Sequence, residues 1–471
     1  MQLTKRALLS AVVVAANSLC PLFADENLNA SATEDTEEQF SVIRKYIEEK
    51  RNIAIKDKGG SLRIGGDIRA QFKHAHQVAS DGKVEGSGTG AGRKGDDMDI
   101  PAYRGDIEAA LSFEYVHDNT YGDLLFKFSN HTGIDGTNYS DKDEPTVDVA
   151  NLSYKSSYAP SDNKIKLARA VIGGELWSKD SHSVTGEVGR QRLYDLFDSR
   201  VMFVNRFDGV AFKYAGDFEG VGKASAKAGI FMISDRVNLY GKVAEVGLSQ
   251  ILETGFGLKY SFINWSKDGS YSDGSNSKLP DSAPENTRTS NANYVGLNRL
   301  CRFQVSQILA NCYLPTEWFG GRLVNVYAAW LHNHAAKEMR DWYSRVDLGN
   351  RNSNAWYAGF TLGRIQTPGD WVLDANYQYV EAQSVPEFDS FGSAGRGNLR
   401  NQWMFMDPTQ GNTNFKGIRA QFGYCLTADV MLNVKATSTR AIDARLSNAV
   451  SENRNSSNRY EYAEVEIVYS F

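Results

Sequence analysis

The sequence predicts an all-β fold: a transmembrane antiparallel β-barrel of 16 or 18 strands, 18 preferred, behind a short N-terminal helical segment. Three observations lead there. Apolar and polar residues alternate with period 2 from residue 60 to the end of the chain. The apolar faces begin or end in Tyr, Trp or Phe, while the opposite faces carry full charges rather than Ser and Thr alone. The chain also stops on a strand. In "EYAEVEIVYSF", residues 461–471, Ala463, Val465, Ile467, Tyr469 and Phe471 share one face, and Tyr462, Glu464, Glu466, Val468 and Ser470 share the other. Such a strand is an aggregation hazard unless it is paired and its apolar face is covered.

The elements follow in chain order. Residues 1–24 have the layout of a secretory signal peptide, with basic Lys5 and Arg6, an apolar run from Ala7 to Ala16, and the small Ala24 at the expected cleavage point. The run is too short to span a bilayer as a helix. Residues 25–59 are charged and helical in pattern: Phe40, Ile43 and Ile47 share a face, and Thr36 with Gln39 fits a capping box. A periplasmic helical or coiled-coil segment, or a solvated charged tether, is expected there. Residues 60–471 read as one barrel domain, since no linker interrupts the texture. In the first strand Leu62, Ile64, Ile68, Ala70 and Phe72 oppose Arg63, Asp67, Arg69, Gln71 and Lys73. In "DWVLDANYQYV" Trp371, Leu373, Ala375, Tyr377 and Tyr379 oppose Asp374, Asn376 and Gln378.

A soluble sandwich shows similar alternation, but so many strands would split into domains. An undivided, exported, aromatic-edged sheet fits a membrane barrel, where every backbone group must bond internally and the sheet must close. Tight turns at 117–120, 367–370 and 426–429 alternate with long polar connections at about 77–101, 265–293, 335–353, 383–413 and 439–459. The alternation breaks between 191 and 253. A barrel with both termini on one side needs an even strand number, hence 16 or 18.

The formal net charge is −5, and −7 without Lys5 and Arg6, which argues against general nucleic-acid binding. Cys301 and Cys312 are close in sequence and form a candidate disulfide in an oxidising compartment. Cys425 reads as a small strand residue. His74 with His76, and His332 with His334, have a spacing that can bind metal. They run in phase with Phe72 and Trp330, so a rim or interface role is expected, with no metal and no cofactor. No Gly-x-Ser-x-Gly elbow occurs, and no enzyme activity is expected.

Three stretches carry a resemblance. The terminal strand has aromatics at its last and third-last positions. Residues 186–214, "GEVGRQRLYDLFDSRVMFVNRFDGVAFKY", combine Gly-Arg-Gln with a following Phe-Asp-Gly-Val, and residues 368–385 open on Gly-Asp-Trp. Together they resemble bacterial outer-membrane porins. Where those porins commonly continue Tyr-Val-Glu with Ala-Asp, this chain has Gln383 and Ser384 after Ala382. The resemblance implies a water-filled channel for passive diffusion of small hydrophilic solutes and ions. It implies an outer membrane of a diderm bacterium, contact with outer-membrane lipid, and a homotrimer. It also marks Tyr469 and Phe471 as the signal read by the barrel-assembly machinery. A surface-exposed structural or adhesin barrel, built around the long loops, is the alternative.

Strand parity then names the charges expected to line the pore: Arg63, Arg69, Lys73, Arg104, Glu108, Glu114, Lys127, Arg190, Arg192, Arg200, Asp374, Arg419, Lys435, Glu464 and Glu466. Charged rings of this kind set ion preference. The densest group, Arg190, Arg192, Asp195, Asp198, Arg200, Arg206 and Asp208, reads either as one basic wall or as a salt-bridged turn. Loop 77–101 or loop 383–413 is the expected inward-folded constriction.

Overall fold

The structure, a computed structural model, describes residues 55–57, 60–78, 102–131, 165–193, 196–203, 206–234, 239–267, 303–336, 352–381, 383–386, 413–442 and 459–471. A short strand β1 (Ile55–Asp57) precedes β2 (Gly60–Val78), β3 (Ala102–His117), β4 (Thr120–His131), β5 (Lys166–Lys179), β6 (His182–Arg192), β7 (Arg206–Phe218), β8 (Gly222–Ser234), β9 (Leu239–Ser249), β10 (Phe256–Lys267), β11 (Phe303–Leu314), β12 (Val324–Asn333), β13 (Asn354–Gly363), β14 (Trp371–Val380), β15 (Phe415–Cys425), β16 (Val430–Ala441) and β17 (Arg459–Ser470). Each of β2 to β17 pairs antiparallel with the next in sequence, and β17 pairs back to β2. The result is a closed barrel of 16 strands. β1 adds three pairs to the start of β2, Ile55↔Leu62 to Asp57↔Gly60. The rest of 25–59, and residues 1–24, lie outside the described residues.

The strand number corrects the preference for 18. Between 191 and 253 the continuous apolar run at Val201, Met202 and Phe203 imitates a buried strand. These residues instead belong to the connection from β6 to β7. The strands of that region are β7, β8 and β9. The turn from β9 to β10 is a compact one, with left-handed backbone at Gln250 (φ 52), Leu252 (φ 51) and Glu253 (φ 60). With those assignments the long connections all fall at one end of the barrel, as expected of an outer-membrane-type barrel, although the link from β8 to β9 at that end is itself short. The expected tight turns at 117–120, 367–370 and 426–429 are all present.

The outward face is apolar, with Ile68, Phe72, Ile107, Leu111, Val188, Phe212, Ile230, Val246, Ile308, Phe360, Ile418 and Val465 all exposed. In a soluble protein such a band is a liability; against lipid it is the solvated face. The terminal strand has its partners on both sides. Its ladder with β2 runs from Arg459↔Val78 to Ser470↔Asp67. Even the last residue is tied in: the Phe471 N–H donates to the Gly66 carbonyl at 2.9 Å and the Gly66 N–H donates to the Phe471 carbonyl at 3.0 Å. Gly66 also makes room for the aromatic, because a Cβ there would lie 2.6 Å from the Phe471 ring.

Candidate functional site: a segment folded into the barrel

The connection from β6 to β7 turns inward. Leu193, Leu196, Phe197, Val201, Met202 and Phe203 are all buried. They join an apolar core with inward residues of β7 to β15, among them Phe231, Ile263, Val305, Leu331 and Tyr357. Phe197 packs against Phe203 and edge-on against Phe231, with centroids 5.5 Å and 6.2 Å apart. Exposed apolar loop residues are costly in water, and this burial of several large side chains is what draws the segment off the rim.

Polar contacts fix its register. Lys259 Nζ on β10 donates to Asp198 Oδ2 at 2.8 Å. The Asp198 N–H donates to Glu245 Oε2 on β9 at 3.1 Å, and Ser261 Oγ donates to the same oxygen at 2.9 Å. Arg200 reaches Asp374 Oδ2 on β14 at 3.5 Å, and its guanidinium lies 4.9 Å from the ring centroid of Tyr327 on β12. Tyr327 Oη and Thr361 Oγ1 also donate to Asp374 Oδ2, at 2.8 Å and 2.9 Å. Gln307 and Gln378 donate to the carbonyls of Asp198 and Arg200. Every one of these partners lies on β9 to β14, so the segment is fastened to one side of the barrel.

The inward faces of β16, β17, β2, β3 and β4 carry a second charge network. Arg69 bonds Asp67 at 2.8 Å and Glu466 at 3.4 Å, with Glu108 at 3.9 Å. Lys127 closes on Glu108 from β4. Lys435 holds Glu464 at 2.9 Å, and Gln71 and Asn433 donate to Glu466 at 2.9 Å and 3.0 Å. Further round the wall Arg169 pairs with Asp123 at 2.6 Å and Lys213 with Glu187 at 2.7 Å. Arg63 and Glu114 pair at 3.5 Å toward the short-turn end. Opposite charges stand across neighbouring strands because the register places them so, for example Arg69↔Glu108 and Lys435↔Glu464.

Most of the expected inward charges therefore sit as strand parity places them. Arg63, Arg69, Lys73, Glu108, Glu114, Lys127, Asp374, Arg419, Lys435, Glu464 and Glu466 occupy inward positions, and Arg200 comes in on the segment. Arg104 stands opposite Lys73 in the ladder. Arg190 and Arg192 are corrections. They share the face of Val188, which is 56 % exposed, and Arg190 pairs on that outer face with Asp208 at 2.7 Å. Their spacing is that of outward residues of β6, whose inward set is Glu187, Gly189 and Gln191. The dense Arg/Asp group thus divides into an outer ion pair and an inner anchor. Asp198 belongs to the anchor, and Glu245, Lys259 and Tyr327, all missed by the sequence reading, complete it. Their parity was readable, but their partner, a loop rather than a strand, was not.

A segment that the sequence did not single out as a constriction, residues 193 and 196–203, is fastened inside. Loop 77–101 lies outside the described residues beyond Val78. Of 383–413 the described start does tuck in, with Ser384 and Val385 buried and the Gln383 carbonyl accepting from Asn333 Nδ2 at 2.7 Å.

Of the candidate disulfide pair, Cys301 lies outside the described residues and Cys312 is buried on β11. Cys425 is buried at the end of β15, where its thiol donates to the Thr427 carbonyl at 3.1 Å.

His332 and His334 face outward in phase with Trp330, as their spacing predicts. His332 Nδ1 contacts Asn354 Oδ1 at 3.0 Å and His334 Nε2 contacts Ser306 Oγ at 2.8 Å.

These features define a class: a closed transmembrane β-barrel with an internal segment fastened to one wall and a charged ladder on the other. The sequence matches no family model and no curated protein. The solved structures it is similar to include bacterial porins. OprB of Pseudomonas putida is 10 % identical, over 87 % of this chain and 94 % of that one, with a TM-score of 0.44. OmpF of Salmonella typhi, in complex with daunomycin, is 13 % identical over 89 % and 100 %, with a TM-score of 0.42. A triple mutant of the Rhodopseudomonas blastica porin is 8 % identical over 87 % and 100 %, with a TM-score of 0.39.

Proposed function

We propose that the protein is an outer-membrane porin: a water-filled passage for passive diffusion of small hydrophilic solutes and ions across the outer membrane of a diderm bacterium. The observation that carries this reading is the one-sided interior. Segment 193–203 fills the side of β8 to β14, and the opposite wall keeps a ladder of charged side chains that an apolar plug would not need. Barrels of this strand number enclose an aqueous space. Solutes would pass between the anchored segment and the ladder of Arg69, Lys127, Lys435, Glu108, Glu464 and Glu466. Opposed charges along such a path order water and dipolar solutes and set ion preference. No chemical step is involved. A homotrimer, surrounding outer-membrane lipid, and recognition of Tyr469 and Phe471 by the barrel-assembly machinery belong to the same reading.

The test is conductance in a planar bilayer with a salt gradient. Stepwise openings are expected. Deleting 196–203 should raise the single-channel step, and Lys435→Glu should move the reversal potential toward cation preference. A folded, heat-modifiable sample that never conducts would sink the porin reading and leave a structural or adhesin barrel.

A further inference from the structure

The outer surface is not uniformly apolar. Toward the long-connection end of β15 and β16, Lys416 and Arg440 stand directly opposite each other, and Arg459 stands opposite Arg440 on β17. Lys416 shares its face with Ile418, which is 57 % exposed, so it belongs to the outer face; Arg440 is exposed on the same face of β16. The row continues in register through Tyr379, Trp356 and Trp330. Directly opposed like charges in a sheet repel. Elsewhere on the outer face the problem is solved within the protein, where Asp208 takes Arg190. Among the described residues neither Lys416 nor Arg440 has a carboxylate partner. The nearby acids are Glu461, opposite Ser438 and diagonal to Arg440, and Glu381, which accepts from Asn354 and Tyr379. The other ends of the same strands carry no such charge: outward residues there are Tyr424, Leu432, Tyr469 and Phe471. On β15 to β17 the outer face therefore carries cations at the long-connection end and aromatic and apolar residues at the other.

We infer that the Lys416–Arg440 row is a docking site for a phosphate-bearing lipid of the outer leaflet, its phosphate between the two cations and its acyl chains on the apolar face formed by Ile418, Val465 and Ile467. The stack of Trp356 on Tyr379, with centroids 6.0 Å apart, borders the headgroup level on one side. The inference rests on placement in an outer membrane and not on conduction, so it survives a silent channel.

The full-length protein is reconstituted in phosphatidylcholine vesicles containing diphosphoryl lipid A or fully dephosphorylated lipid A, extracted in mild detergent, and assayed for lipid A retained per barrel. Each basic side chain at an anionic surface contributes about a fivefold factor, so the Lys416→Gln/Arg440→Gln variant should retain diphosphoryl lipid A about 25-fold less well. Lys416→Arg/Arg440→Lys should retain it like the wild type, as should Lys179→Gln/Lys223→Gln at the opposite rim. The dephosphorylated lipid should wash off all of them. Heat-modifiable gel mobility reports whether each variant is folded. If the double substitution does not fold, the wild type decides: its retention must fall as salt is raised. Equal retention by wild type and double variant, equal retention of the two lipids, or salt-independent retention overturns the inference.

Discussion

Gly66 and Phe471 show how a single position closes the barrel. A Cβ at Gly66 would meet the Phe471 ring at 2.6 Å and the Ala110 carbonyl at 3.1 Å. Gly66→Val should therefore displace the terminal aromatic and cost about 1–3 kcal/mol. Adding Phe471→Ala should recover part of that loss, which the urea midpoints of the two single variants and the double variant would reveal. Equal midpoints for wild type and Gly66→Val would show that the ring is not seated there. Asp370 acts in the turn before β14. It accepts the N–H groups of Gln366 at 3.0 Å and Thr367 at 2.7 Å, and the Thr367 hydroxyl at 2.9 Å. Burial works to raise its pKa, but the Thr367 and Gln366 N–H groups outweigh it and hold the carboxyl below its ordinary 3.8. A depressed carboxyl stabilises the fold above its ordinary pKa and loses that contribution as the pH falls through the folded value. The gap in unfolding midpoint between wild type and Asp370→Ala should thus be full at about pH 6 and shrink as the pH falls below the ordinary carboxyl value of 3.8. A gap that does not change with pH would assign the effect to packing.

At the scale of elements the anchored segment is the part that sequence reasoning placed least well. The strands were legible because each alternates against lipid on one side and charge on the other: Leu373, Ala375 and Tyr377 against Asp374, Asn376 and Gln378 declare their faces without a partner. Segment 193–203 has no such external reference. Leu196, Phe197, Val201 and Phe203 are apolar because a core receives them, and that core is assembled from nine strands, β7 to β15, as distant in sequence as Phe415. The same blindness moved Arg190 and Arg192 indoors and tipped the strand number to 18. Arg200 tests the anchor. It and Asp374 are each only 7 % exposed at the side chain. Removing the cation leaves a buried carboxylate facing the neutral donors Tyr327, Thr361 and Asn376, so Arg200→Ala should cost about 3 kcal/mol and loosen the segment. Bilayer recordings should show larger or noisier openings than the wild type. Wild-type stability together with wild-type conductance would mean that the apolar contacts alone hold the segment.

For the whole molecule, closure is the property on which the others depend. In lipid an unpaired strand edge exposes a row of N–H and C=O groups that nothing else can satisfy. Every strand from β2 to β17 has two neighbours, so losing any one of them exposes two edges at once. β1 is different: it contributes three pairs at the rim and lies outside the closed ladder. Two truncations should therefore behave in opposite ways. A chain that begins at residue 59 should still refold into a heat-modifiable barrel, with an unfolding midpoint close to that of the longer chain. A chain that ends at residue 458 loses β17, and with it the ladders to both β16 and β2. It should fail to give any compact band on an unheated gel, because 15 antiparallel strands cannot close in register with both ends on one side. A stable 15-stranded species, or collapse of the N-terminally shortened chain, would show that closure is not the cooperative unit and that residues before the barrel carry stability that β1 alone does not explain.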